Sequence, residues 1–196
     1  MFIVFEGIDG TGKSTQVQLL ADALRAKGHE VITSKEPTDG PHGTRLRNSA
    51  DSGRLSPQEE LDLFHRDRRH HVETLIKPAL ARGAVVILDR YYFSTMAYQG
   101  VRGFDPLEIR ASNEKFAPVP DHVIILEVPI EVALDRIGIR DGAANEFEQR
   151  ESLEKCHAIF SSINDPFVQR IDASASPDEV HAEVLKALFP SNLKAV

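Results

Sequence analysis

Residues 7–14 read Gly-Ile-Asp-Gly-Thr-Gly-Lys-Ser, directly after the apolar run Phe2-Ile3-Val4-Phe5 and directly before a stretch whose Val17, Leu20, Ala21 and Leu24 fall on one helical stripe. Few local patterns restrict a chain as much. The spacing G-x-x-x-x-G-K-[ST] between a strand and a helix predicts a loop whose backbone N–H groups turn inward on a triphosphate, and its glycines make the required turns without strain. The positive end of the following helix adds to that field. Lys13 is expected to reach the β and γ phosphates and Ser14 to ligate Mg²⁺, with Gly7, Ile8, Asp9, Gly10, Thr11, Gly12 and Thr15 completing the nucleotide-binding segment.

The rest of the chain repeats the same strand-then-helix rhythm. Val31-Ile32-Thr33, Ala84-Val85-Val86-Ile87-Leu88 and Val123-Ile124-Ile125-Leu126 are apolar without polar alternation, as strands covered on both faces require, and a last short strand is predicted near Phe167 to Ile171. Such strands pair in parallel. Ser56-Pro57-Gln58-Glu59, Asp105-Pro106-Leu107-Glu108 and Ser176-Pro177-Asp178-Glu179 each offer an N-cap, a proline at the first helical position and a glutamate to reach back. The helix opening at Pro57 is expected to run to about Arg82, disturbed by Pro78 and ended by Gly83, and the last helix to end near Phe189. The 196 residues suit one α/β domain, 1–196, with a mobile lid at about 137–150, where Gly138 to Asn145 carries two glycines and no apolar period.

Composition narrows the partners. Lys and Arg number 23 against 30 Asp and Glu, a formal charge of -7, so no overall field draws the chain to nucleic acid or an anionic membrane. Cys156 is the single cysteine, which leaves no disulfide framework and points to a reducing, cytoplasmic compartment, and Phe2–Phe5 is too short to span a membrane or serve as a signal. His65, His70 and His71 do not make the H-E-x-x-H spacing of a zinc site.

A phosphate loop alone also fits motors, GTPase switches and transporter ATPases. The guanine-reading N-K-x-D of a switch is absent, which favours a small phosphoryl-transfer kinase. A second site is legible too. Phe64, Arg68 and His71 stand at i, i+4 and i+7 of the helix opening at Pro57, so an aromatic ring and a guanidinium share one side. Asp89-Arg90-Tyr91 follows the third strand, at the carboxyl end where ligands of parallel sheets bind, and Ser94-Thr95-Met96-Ala97-Tyr98-Gln99-Gly100 adds hydroxyls and an amide.

Taken together, Phe5 to Thr15, Leu63-Phe64 with Asp67-Arg68, Ile76-Lys77-Pro78-Ala79-Leu80, Asp89-Arg90-Tyr91 and Ala97-Tyr98-Gln99-Gly100 closely resemble the thymidylate kinase family, in register from residue 1 to about 137 and again, weakly, in the closing segment. The resemblance implies a three-layer P-loop NTPase fold with a parallel five-stranded sheet between helices, and a Mg²⁺-dependent transfer of the ATP γ-phosphoryl group to dTMP. It implies a homodimer. It further implies that Phe64 stacks on thymine, that Arg68 donates to thymine O4, and that Thr95 and Gln99 meet the polar edge of the base. Tyr98 would exclude a ribose 2′-hydroxyl, and Glu36 and Pro37 would wall the base. Arg90 and Arg47 would hold the acceptor phosphate, and Asp9 and Asp89 would position that phosphate and, with Ser14, the hydrated metal. No general base is needed, because the nucleophile is an ionised phosphate oxygen and alignment with charge neutralisation does the rest.

Departures from the family pattern are specific. Gly10 stands where some members carry a catalytic arginine, which leaves the lid side to supply the cation from Arg136, Arg140 or Arg150, with Arg136 also against ATP. The lid signature Asp-Arg-Phe-Glu reads Asn145-Glu146-Phe147-Glu148, Lys35 replaces an arginine before Glu36-Pro37, and Phe160 replaces a common tyrosine. A kinase for another nucleoside monophosphate such as dUMP, or a nucleotide-binding regulator with weakened catalysis, are the alternatives that these changes leave open.

Overall fold

The computed structural model describes the backbone of residues 1–52, 55–141 and 146–190, and side chains in these ranges except at 50–52, 139–141 and 146–149. Five strands, β1 (Phe2–Glu6), β2 (Val31–Lys35), β3 (Val85–Asp89), β4 (His122–Glu127) and β5 (Val168–Asp172), form one parallel sheet in the order β2-β3-β1-β4-β5. All five lie where the apolar runs place them. β1 is buried at every residue, and Val4, Ile87 and Ile124 have no exposed surface, so the middle of the sheet is covered on both faces and its strands need no polar alternation.

The helices are α1 (Lys13–Ala26), α2 (Pro41–Ser52), α3 (Pro57–His71), α4 (Lys77–Ala81), α5 (Tyr92–Val101), α6 (Pro106–Glu114), α7 (Ile130–Asp141), α8 (Glu146–Ser161) and α9 (Pro177–Leu188). α1 packs along β1, β2 and β3 and against α9, whereas α5 packs on α3, α6 and α8. Both serine caps form complete boxes with Glu59 and Glu179. At α6 the outcome differs. Asp105 caps the Leu107 amide at 2.7 Å, and no reach-back by Glu108 accompanies it, because a carboxylate cap repels a second carboxylate where a serine would welcome one.

The expected single helix from Pro57 to Arg82 is divided. Between α3 and α4 lies a π-helical turn, Val72–Ile76, in which Lys77 N–H bonds back five residues to Val72. Pro78 has no N–H to continue the α-helical ladder, and the widened turn just before it absorbs the fault without breaking the rod. In the expected lid region α7 continues through Gly138 to Asp141 and α8 starts at Glu146, so the helix overrides the glycine; residues 142–145 and the side chain of Arg140 lie outside the described residues.

Candidate active site

Parallel register brings three loops together at one end of the sheet. Phe5 pairs with Asp89, Arg90 N–H donates to Phe5 O at 2.9 Å and Glu36 N–H to Asp89 O at 3.0 Å, so the segments after β1, β2 and β3 leave the sheet side by side. Arg90 is, among the described residues, the one non-glycine with a left-handed backbone, at φ 72. Glu6 holds this turn. Its wholly buried carboxylate accepts from Tyr91 N–H at 2.7 Å, Ser94 N–H at 3.1 Å and Ser94 Oγ at 2.5 Å, which ties down the start of α5. Burial pushes the Glu6 carboxyl up to about 7, against the opposing pull of Ser94 and Arg90.

A cleft of about 430 Å³ above the loop is lined by Asp9, Gly10, Gly12, Lys13, Ser14, Thr15, Asp89, Arg90 and Arg136. Lys13 is buried and its Nζ donates to Ile8 O at 2.8 Å; burial, then the nearby Arg90 charge, lowers its pKa to about 7. Thr11 Oγ1 donates to the same carbonyl at 3.0 Å. Ser14 Oγ donates to Asp89 Oδ2. Arg136 spans Gly10 O and Ala173 O, each at 3.2 Å, and so closes the far wall. Gly7 and Gly10 are required here by space as well as by φ: a Cβ on Gly7 would sit 2.4 Å from Leu126 O, and one on Gly10 2.7 Å from Ala133 O. A loop arginine at position 10 therefore has no room unless α7 moves.

Beyond Arg136 the cleft continues between Thr15, Gln16, Ala173, Ala175 and Pro177. Sequence reasoning misses this wall. Ser176 announces a helix start and nothing in its neighbourhood says that Gln16 Nε2 bonds Pro177 O, at 2.8 Å.

A second cavity, about 260 Å³, adjoins the first and is lined by Asp9, Glu36, Pro37, Phe64, Arg68, Arg90, Thr95, Tyr98 and Gln99, all foreseen, by Tyr91 and Ser94 from the segments marked for the second site, and by Glu60, which was not foreseen. Arg68 is 1% exposed, and its guanidinium is fully oriented: Nε to Glu36 Oε2 at 2.7 Å, Nη1 to Asn113 Oδ1 at 2.6 Å and Nη2 to Thr95 Oγ1 at 2.9 Å. Gln99 Nε2 donates to Glu60 Oε2 at 2.7 Å, and its buried Oε1 has no hydrogen-bond partner among the described residues. Arg90 Nη2 lies 2.6 Å from Asp9 Oδ1, while Tyr98 OH donates to Asp9 Oδ2 at 3.0 Å. Burial works against the Arg90 charge, but Tyr98 and the acids Asp9, Glu6 and Asp89 outweigh it, and the guanidinium stays above its ordinary range. Burial likewise holds the Tyr98 phenol above its ordinary value.

Of the foreseen residues, Gly7, Ile8 and Thr11 belong to the loop without lining either cleft, and the cations Arg47 and Arg150 stand apart from both. Arg47 is half-exposed, donating to Pro37 O at 2.8 Å and Asp39 Oδ1 at 2.9 Å, and Arg150 pairs with Glu131 Oε1 at 2.8 Å. Arg140 cannot be placed beyond its position on α7, as its side chain lies outside the described residues. Of the departures, Lys35 Nζ meets Asp39 Oδ1 at 3.2 Å, and Phe160 is buried in the core.

Oxygen donors of Ser14, Asp89 and Asp9 converge on the first cleft, a set that suits a hard divalent cation. Among the described residues no group of three or more His, Cys, Asp or Glu side chains forms a cage, so a cation here would take most of its ligands from phosphate and water, as Mg²⁺ does.

The thymidylate kinase family model matches residues 5–184. The chain is 58% identical to the thymidylate kinase of Akkermansia muciniphila over 98% of its own length and 95% of that protein. It is 51% identical to that of Xanthomonas campestris pv. campestris, over 96% and 84% of the two chains, and 47% identical to that of Desulfotalea psychrophila, over 93% and 91%. With a phosphate loop, an adjoining base-sized cavity and agreement over nearly its whole length, this chain belongs to the thymidylate kinase family.

Proposed function

We propose that this chain transfers the γ-phosphoryl group of ATP to dTMP, giving dTDP and ADP. One observation carries the reading: Asp9 and Arg90 line both clefts, so two phosphate tails entering from opposite sides meet at one ion pair. ATP lies along Gly7–Thr15 with Lys13 at its β and γ phosphates and Arg136 over the outer wall. The thymine ring lies against Phe64, with Arg68 donating to O4, Gln99 Oε1 accepting from N3–H and Thr95 beside them, while Glu36 and Pro37 close the end. Cytosine would bring its N4 donor against Arg68 and leave the guanidinium unpaired, which is costly in a buried site. Tyr98 packs where a 2′-hydroxyl would stand.

Mg²⁺ fits beside Ser14, Asp89 and Asp9, where it would neutralise phosphate charge and fix the geometry of the transferred group. Arg90 orients the acceptor phosphate, which needs no base because its oxygen is already ionised. On the strength of the resemblance, Arg47 serves the acceptor phosphate, and Arg140 and Arg150 are the lid cations for the transferred group. The same reading makes the protein a cytoplasmic homodimer without a nucleic-acid partner, and the net charge of -7 supports the last of these alone. No helix among the described residues is long and apolar enough to cross a membrane.

Coupled ADP release, measured with ATP, Mg²⁺ and a panel of nucleoside monophosphates, is expected to show dTMP preferred over dUMP, dCMP and TMP with a ribose sugar. Silence towards dTMP with turnover of another acceptor would overturn the reading.

A further inference from the structure

His71 lines neither cleft, yet it is buried and both of its ring nitrogens are engaged: Nδ1 lies 2.9 Å from Glu36 Oε1 and Nε2 2.9 Å from Ser34 Oγ. A carboxylate only accepts, so Nδ1 carries the proton and donates to Glu36. The other oxygen of that carboxylate takes Arg68 Nε at 2.7 Å, and the far end of the same guanidinium is held by Asn113 and Thr95. The chain Ser34, His71, Glu36, Arg68 thus runs from β2 to the floor of the acceptor cavity. Every link is short, and Glu36, Arg68 and His71 are shielded from water, so each depends on the next for its orientation.

We infer that His71 is a positioning residue for acceptor-base recognition, acting through Glu36 to set the angle at which Arg68 meets the base. Without the Nδ1 donor, Glu36 Oε1 is a buried carboxylate oxygen with no partner. Arg68, already bonded to the other oxygen of this carboxylate, is a donor that can turn to satisfy it, and that turn takes the guanidinium off Thr95 and off the base edge. The consequence is confined to one substrate: dTMP affinity falls and dTMP is less well separated from dCMP, while ATP and the transfer step are untouched. The inference rests on Arg68 being the base-facing donor.

Three variants separate this role from a general packing role. In His71→Asn the amide nitrogen can replace Nδ1 towards Glu36; in His71→Gln it reaches the Ser34 side instead; His71→Leu keeps volume and removes both. The dTMP KM is expected to rise about 10- to 100-fold in His71→Gln and His71→Leu, as for a lost hydrogen bond to a buried charged group, and to stay within about threefold of the parent in His71→Asn. The kcat and the ATP KM should remain within about twofold throughout. Equal impairment of the Asn and Gln variants, unaltered dTMP KM in the Leu variant, or a fall in kcat at unchanged KM would each overturn the inference. A measurement without variants guards against misfolding: the His71 Nδ1–H resonance is expected to shift when dTMP is added and to stay when ADP alone is added, and no response to dTMP overturns the inference. Failure of the base-recognition reading itself would look different, because the parent enzyme would then fail to distinguish dTMP from dCMP.

Discussion

Arg90 and Asp9 meet at 2.6 Å, guanidinium to carboxylate, across a gap of 81 residues in the chain. The pair stands at the junction of two clefts, with Tyr98 OH on the other oxygen of Asp9 and Ser94 Oγ accepting from Arg90 Nη1 at 3.0 Å. In the proposed reaction each cleft takes one nucleotide. On that reading the junction is where charge develops on the transferred group, among side chains already held in place by one another.

Removing the cation at the junction should therefore cost rate as well as binding. Arg90→Ala is expected to lower kcat by about 10²- to 10³-fold and to raise the dTMP KM, with the ATP KM changed less. Steady-state kinetics with both substrates varied would check it, and a near-parental kcat would contradict the assignment.

Lys13 is poised to take up a proton when ATP binds. Burial lowers it to about 7 in the free protein, and phosphate oxygens beside the amine favour the charged form. At pH 8 binding should absorb about one proton, and near pH 5.5 almost none from this group, since Lys13 is by then already charged. Calorimetry in buffers of different ionisation enthalpy measures this directly. In Lys13→Met the uptake should vanish and turnover should fall by orders of magnitude.

Phe64 offers a face and no charge. Phe64→Ala should raise the dTMP KM about 10- to 100-fold, as expected for losing a stacked aromatic contact together with its apolar burial, and should leave the ATP KM alone. Equal loss for both substrates would place the residue in the core instead.

Glu6 gives the free protein a pH dependence of known sign. Its folded value, about 7, exceeds the ordinary 4.5, so the folded state binds the extra proton and the stabilising contribution is full below 4.5 and lost as pH rises to about 7. Glu6→Gln cannot titrate. Denaturant melts of the parent minus the variant should fall by a few kcal/mol across that window and stay level outside it. A flat difference curve would show that the carboxylate is not shielded as the structure has it. Turnover of the variant should drop as well, because Gln keeps one acceptor for Tyr91 and Ser94 where the carboxylate has two.

How much of this could be read beforehand divides along a clear line. The phosphate loop, the five strands and the caps at Ser56, Asp105 and Ser176 depend on residues within a few positions of each other, so spacing and residue type suffice to find them. Nearly all the lining of the acceptor cavity was nameable because Phe64 and Arg68 share a helix side and Asp89-Arg90 ends a strand. The π-turn before Pro78 was visible only as a disturbance, since a missing N–H says that a ladder breaks and not how.

What the amino-acid order determined by itself is local: a triphosphate loop between a buried strand and an amphipathic helix, and the repeated unit that makes a parallel sheet. Which distant side chains touch was decided by tertiary structure. Asp9 reaches Arg90 because β1 and β3 are neighbours in register, Glu36 reaches His71 and Arg68 because β2 lies beside α3, and Gln16 reaches Pro177 because α9 returns to α1. Those adjacencies follow from how the whole chain buries its apolar faces, a sum over all elements that no short window contains.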